Sequence, residues 1–290
     1  MFVRYIEICR MLGDLTESCG RGFLPSAKIF QMESMLLRWL DDMPSHLRLP
    51  AIPRAENFIS RQLHLPYLMS IMIFSRFRAR GVSREAVLAA SSCAGIFESF
   101  LSRDEVKYLA PVFTIYCICS GFTLLTLYHD ATMWSAAQAD LNVILKGLSE
   151  LSKSWRSAIG GLKALQSAIQ AKERNRISRP PGKVDTTSTE WRIFFSYFPD
   201  HVCRLRTAYE SRVAETMPQR SVDIPATTFD SRQLNEQQFD QQTPLSGHVQ
   251  QIDYSLGEGV FDTGAVDLFG YDHFGSWLLN EPSIAALGGA

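Results

Sequence analysis

No lysine or arginine occurs after Arg232 in this 290-residue chain. That absence hides inside a net charge of −1. Residues 1–183 carry 23 Lys+Arg against 15 Asp+Glu, and residues 184–290 carry 6 against 15. The molecule is therefore a basic part followed by an acidic part. Clustered cysteine is also missing. Cys9, Cys19, Cys93, Cys117, Cys119 and Cys203 show no CxxC pair and no Cys/His ligand spacing, which argues against a zinc ribbon or finger. Cys117 and Cys119 point to nearly opposite sides of a helix, so a shared metal is not expected, and the thiols read as free and buried. No Gly-rich phosphate loop and no G-x-S-x-G elbow is found. Phe2, Ile6, Cys9 and the Met11-Leu12 pair recur at helical spacing where a signal peptide would need an uncharged apolar core. A chain that opens inside a helix is expected of a fragment or of a shortened gene product.

Strand signals are scarce, and helix signals fill the basic part. Ile29, Met32, Leu36, Trp39 and Leu40 share one face of a helix that stops at Pro44. An apolar segment over 58–77 is interrupted by Pro66, which predicts a break or kink. Ser83 can cap a helix running to about Leu101, and Ser102-x-x-Glu105 reads as a capping box for the next. Residues 108–128 contain no charge and are long enough to span a bilayer. Pro111, Thr114, Ser120, Gly121, Thr123 and Thr126 dilute them, and a helix apolar all round also suits the centre of a large helical domain. We expect core and no membrane association. Trp134, Gln138, Leu141, Leu145 and Leu148 form a stripe, with Asp140, Asn142, Lys146 and Glu150 opposite. Ser152 or Ser154 can cap a last helix with the stripe Trp155, Ile159, Leu162, Leu165 and Ile169, weakened by Gly160-Gly161 at about 1 kcal/mol per glycine.

The pattern predicts an all-α fold: a domain of about seven helices over 1–173, then a basic linker over 174–190. An aromatic docking segment follows over 191–215, and a largely disordered acidic-aromatic tail over 216–290. The docking segment holds Trp191, Ile193, Phe194, Phe195, Tyr197 and Phe198. Such an island is too aromatic to stay in water and is expected to fold back on the helices as a clasp. The linker region holds Lys172, Arg174, Arg176, Arg179 and Lys183 within 172–183. It reads as a solvated linker, with nuclear import as its functional alternative.

Candidate catalytic groups fare poorly. Asp41-Asp42 would need further acids one turn on to hold metal as a terpenoid synthase does, and Met43-Pro44-Ser45 end the helix instead. His64 sits on an apolar face and reads as a satisfied core histidine. His129 and Asp130 are adjacent residues at a helix end, which rarely face each other. No catalytic constellation emerges, so a non-enzyme is expected; the alternative is an all-helical enzyme with a buried apolar pocket.

The tail carries the sharpest signal. Residues 252–281 hold six acids and no Lys or Arg, among Phe261, Asp262, Asp267, Leu268, Phe269, Tyr271, Phe274, Trp277 and Leu278. Acidic repulsion keeps such a segment open and its aromatics available to a hydrophobic groove, the composition of a transcriptional activation segment. The expected partner is a transcriptional coactivator or other regulatory protein.

Several elements resemble the regulatory middle region of fungal zinc binuclear cluster transcription factors. Trp39-Leu40 followed by Met43-Pro44-x-His46-Leu47-Arg48 is similar to that region's tryptophan-then-LP..LR element. Leu63-His64-Leu65-Pro66-Tyr67 followed by Arg76 resembles its LH..Y helix, with Phe77 where proline is usual. Cys93-Ala94-x-Ile96 and Leu148-x-x-Leu151-Ser152-x-x-Trp155-x-x-Ala158 resemble its later helices. The resemblance covers most of 1–170 and implies a nuclear transcription regulator that senses a small-molecule effector or a partner. The family's six-cysteine zinc cluster has no counterpart here. Zinc is expected only in a full-length relative, and DNA contact only through a missing module or a partner. The opposite charges of body and tail allow an intramolecular off state.

Overall fold

The computed structural model describes residues 1–21, 24–52, 57–78, 83–174 and 191–216. Among them the chain forms helices and no strand: α1 Phe2–Gly20, α2 Ser26–Asp41, α3 Phe58–Arg78, α4 Arg84–Ser102, α5 Phe113–Leu125, α6 Ala131–Ser152, α7 Arg156–Arg174, α8 Trp191–Phe194 and α9 Arg204–Thr216. Short 3-10 turns lie at Ser45–Leu47, Val106–Tyr108 and Asp200–Val202. The all-α expectation holds.

Helix α4 is the centre, packed on α3, α5 and α6. Its sequence explains the position. Ala86, Ala89, Ala90, Ser91, Ser92, Ala94 and Gly95 are small, so neighbours approach closely, while Val87, Leu88, Ile96, Phe97 and Phe100 fill the gaps between them. Ser83 caps it by accepting from the Ala86 N–H at 3.4 Å. Helices α1 and α2 pack on the α3 side, and α7 closes over α5 and α6. Gly121 and Gly161 permit that closure. A Cβ at Gly121 would overlap the Leu165 side chain, and one at Gly161 would overlap Ile118. The helix propensity lost at Gly161 is exchanged for close packing.

The uncharged stretch over 108–128 yields only the 13-residue α5, roughly 20 Å long and buried on nearly every side. Among the described residues, no helix is long and apolar enough to cross a membrane. Pro66 neither breaks nor ends α3. Its missing N–H deprives only the carbonyl of Gln62, a half-buried position that water can serve.

Three expectations are corrected. Ser102 and Glu105 form no capping box: Ser102 ends α4, its hydroxyl donates to the Ser99 carbonyl at 3.0 Å, and α5 starts at Phe113 after Pro111. Glu105 instead meets the buried guanidinium of Arg61 at 2.5 Å. The buried seam of α6 is Met133, Ala137, Asp140, Leu141, Ile144, Gly147, Leu148 and Leu151, so Asp140 lies inside and not on the solvent face. In α7, Trp155 and not Ser152 or Ser154 precedes the first turn, and Ile159 is exposed while Ala158, Gly161 and Leu165 are buried.

Candidate functional site

The most elaborate polar and aromatic construction among the described residues lies where α8, the following turn and α9 cross the body. Phe194, Phe195, Phe198, Val202, Cys203, Leu205 and Tyr209 are all buried there. Each large side chain contributes about 1.5–3 kcal/mol of gross transfer energy. Their spacing is local: Phe194 and Phe198 lie four residues apart, and the 3-10 turn at Asp200–Val202 then swings Val202 and Cys203 inward. The opposing wall is aromatic. Trp39 of α2 stacks on Tyr67 of α3 at 5.1 Å and 16°, and Tyr67 stacks on Phe198 at 6.1 Å and 20°. His64 meets Phe198 edge-on at 5.4 Å. Phe74 tilts against Phe194 at 6.4 Å.

Polar contacts set the register. The Tyr67 hydroxyl donates to the Phe194 carbonyl at 3.0 Å, and the Cys203 thiol to the Leu88 carbonyl at 3.5 Å. The Leu205 N–H donates to Ser91 Oγ at 3.2 Å, and Ser91 donates to Asp140 Oδ2 at 2.6 Å. Arg204 then forks: Nη1 reaches Asp140 Oδ1 at 2.8 Å and Nη2 reaches the Glu98 carboxylate. Asp140 is 0% exposed and Arg204 36%. Burial pushes the Asp140 carboxyl above the ordinary range, against the opposing pull of Ser91 and Arg204. Gly95 sets the depth of the seat, since a Cβ there would overlap the Val202 carbonyl oxygen.

His64 is buried, its Nδ1–H donates to the Ser60 carbonyl at 2.7 Å, and burial lowers its pKa to about 4. It is the satisfied core histidine expected. Asp41 and Asp42 are exposed at the end of α2. Asp130 caps α6, accepting from the Thr132 and Met133 N–H groups. Cys9, Cys93, Cys117, Cys119 and Cys203 are free thiols. Burial raises the pKa of Cys93 to about 12 and pushes Cys117 and Cys119 up as well, which does not suit thiolate nucleophiles. Among the described residues no group of three or more His, Cys, Asp or Glu is placed to hold a metal ion. What the arrangement can do is hold a peptide segment by apolar walls and a few fixed polar groups.

Of the import residues, Lys172 and Arg174 lie on the last turn of α7, where Arg174 reaches Gln170 at 3.5 Å. Arg176, Arg179 and Lys183 lie outside the described residues, as do Phe261, Asp262, Asp267, Leu268, Phe269, Tyr271, Phe274, Trp277 and Leu278. Sequence reasoning missed Ser91, Glu98, Asp140 and Arg204. One signal was available: Asp140 falls in the three-and-four spacing set by Met133, Ala137, Ile144, Gly147 and Leu151, where a lone acid demands a partner.

No protein-family description, no curated protein and no solved structure matches this chain.

Proposed function

We propose that this chain is the regulatory and activating part of a transcription regulator of the fungal zinc binuclear cluster kind, acting in the nucleus without a DNA-reading module of its own. The observation that carries this reading is the acidic-aromatic segment 252–281, free of Lys and Arg, joined to a basic helical body. The ordered resemblances in 1–170 point the same way. They include the Trp39-Leu40 and His64-x-x-Tyr67 elements, whose Trp39, His64 and Tyr67 side chains meet in one aromatic wall.

On this reading the segment docks Phe261, Phe269, Phe274 and Trp277 in a coactivator groove, and its acids keep those side chains in water beforehand. The body positions the tail, and its positive surplus offers an off state that salt weakens. DNA is reached through a partner or a module outside this chain, and the Lys172–Lys183 basic cluster serves import. The test is a fusion of the whole chain to a foreign DNA-binding domain over a reporter, beside the same fusion lacking 252–281. The reading expects activity that needs 252–281; a silent whole-chain fusion, or one unaffected by the deletion, refutes it.

A further inference from the structure

The positive charge of the helical body is concentrated on one face. Helices α6 and α7, with the residues between them, carry six bases against three acids, one of which, Asp140, is buried against Arg204. Helices α1 and α2 carry four bases against five acids. Helix α5 has no charge, and Arg61 of α3 and Arg84 of α4 are buried. Helical geometry lines up the α7 cations. At about 100° per residue, Arg156, Lys163 and Arg174 stand within about 20° of one another, in a stripe about 27 Å long opposite the buried Ala158, Gly161 and Leu165. On α6, Lys146 and Lys153 lie opposite the buried seam, and the two helices pack along each other. Among the described residues no carboxylate bridges Lys146, Arg156 or Lys163. Ile159, 43% exposed, interrupts the stripe between Arg156 and Lys163, beside exposed Gly160.

We propose that this α6–α7 face is the docking surface for the chain's own segment 252–281. Charge complementarity selects the occupant. The segment holds six acids and no Lys or Arg, and its aromatics give Ile159 and the bare backbone at Gly160 an apolar counterpart. Chain length allows the contact. Thr216 ends α9, and residues 217–251, at about 3.3 Å each, reach up to roughly 115 Å, more than twice the width of a domain of about 200 residues. Tethering keeps the segment at high local concentration, so it is favoured over a free acidic peptide of equal affinity. Each exposed ion pair contributes little and is screened by salt. The contact therefore depends on several pairs together and yields readily to a competitor. A coactivator that takes Phe269 and Trp277 must displace them from this face, which gives the proposed off state its location. The docking rests on that reading for the segment's role and not for the contact itself.

The experiment couples carboxylates to lysine amines in the intact full chain with a water-soluble carbodiimide, at low and at high salt, and maps the joined peptides of the monomeric product by mass spectrometry. At low salt the acids of 252–281 should couple to Lys146, Lys153 or Lys163 at least fivefold more than to Lys28 of α2, and high salt should remove that preference. The double reversal Arg156→Glu/Lys163→Glu, at exposed positions and with unchanged circular dichroism, should cut coupling to Lys146 and Lys153 at least fivefold. Equal coupling of Lys28 and the α6–α7 lysines, no coupling from 252–281, or coupling untouched by the reversal overturns the proposal. So does absent coupling in a chain that binds a DNA duplex which the reversal releases, a result that assigns the face to nucleic acid. The readout needs no transcription. A silent reporter fusion with intact coupling refutes the activation reading alone, and an active fusion without coupling refutes the docking alone.

Discussion

Acidifying this protein should weaken it through one histidine. His64 is fully buried, donates from Nδ1 to the Ser60 carbonyl, and faces Trp39 edge-on at 6.3 Å and Phe198 at 5.4 Å. No carboxylate is among its described contacts, and burial takes its pKa from 6.5 to about 4. A depressed histidine favours the folded state while both states are neutral. As pH falls below 6.5 the unfolded chain binds a proton that the folded chain refuses, and stability drops until the folded pKa is reached. The full effect is about 3 kcal/mol, of which about 2.5 kcal/mol is lost by pH 4.5. Asp140 works in the opposite sense. Its raised carboxyl holds a proton in the folded state at a pH where the unfolded chain has released it, so acidification through that range adds stability. Comparison with His64→Gln separates the two. Urea unfolding followed by far-ultraviolet circular dichroism at pH 7.0 and 4.5 should show wild type losing about 2–3 kcal/mol more than the variant. Equal losses would refute the assignment of His64 as a buried, neutral group.

Other consequences follow from the same geometry. Gly95→Ala drives a Cβ into the Val202 carbonyl, a backbone group that cannot swing aside, and should cost about 1–3 kcal/mol, with faster amide exchange at Val202 and Cys203. Arg204→Ala should cost about 2 kcal/mol after allowance for its partial exposure, and Asp140→Asn in the same chain should recover part of it in a double-mutant cycle by chemical denaturation. Glu105→Gln strips the carboxylate from Arg61, whose side chain is 1% exposed, and should lower stability by about 3 kcal/mol, or roughly 6–12 °C in Tm by differential scanning calorimetry.

The helical class was legible because the signal is periodic and local. The stripe of α2, the Ser83 cap and the apolar ring of α5 are all written in nearest-turn spacing. The aromatic run at 191–198 was likewise readable as a segment that must be covered. What the sequence hid is pairing across distance. Glu105 matches a capping box locally, yet its carboxylate goes to Arg61, 44 residues earlier. Asp140 reads as a surface acid in line with Lys146 and Glu150 of the same helix, until Arg204, 64 residues later, is brought to it. Gly161 reads as a weak point until Ile118 fills the space above it. In each case tertiary contact overrides a correct local preference, and one sequence carries no record of which partner arrives.

The central claim rests on the aromatic side chains of the tail, and one reporter measurement addresses it most directly. The whole chain fused to a foreign DNA-binding domain is compared, at matched expression, with its Phe269→Ala/Trp277→Ala and Asp262→Asn/Asp267→Asn forms. Each buried aromatic contributes about 1.5–3 kcal/mol of gross transfer energy, and ordering the segment consumes about 2–5 kcal/mol, so the net affinity is modest and two lost rings remove most of it. The account predicts near-complete loss of activity in the aromatic double variant and a smaller loss in the acidic one. Full activity without Phe269 and Trp277, or silence of the wild-type fusion, would contradict it.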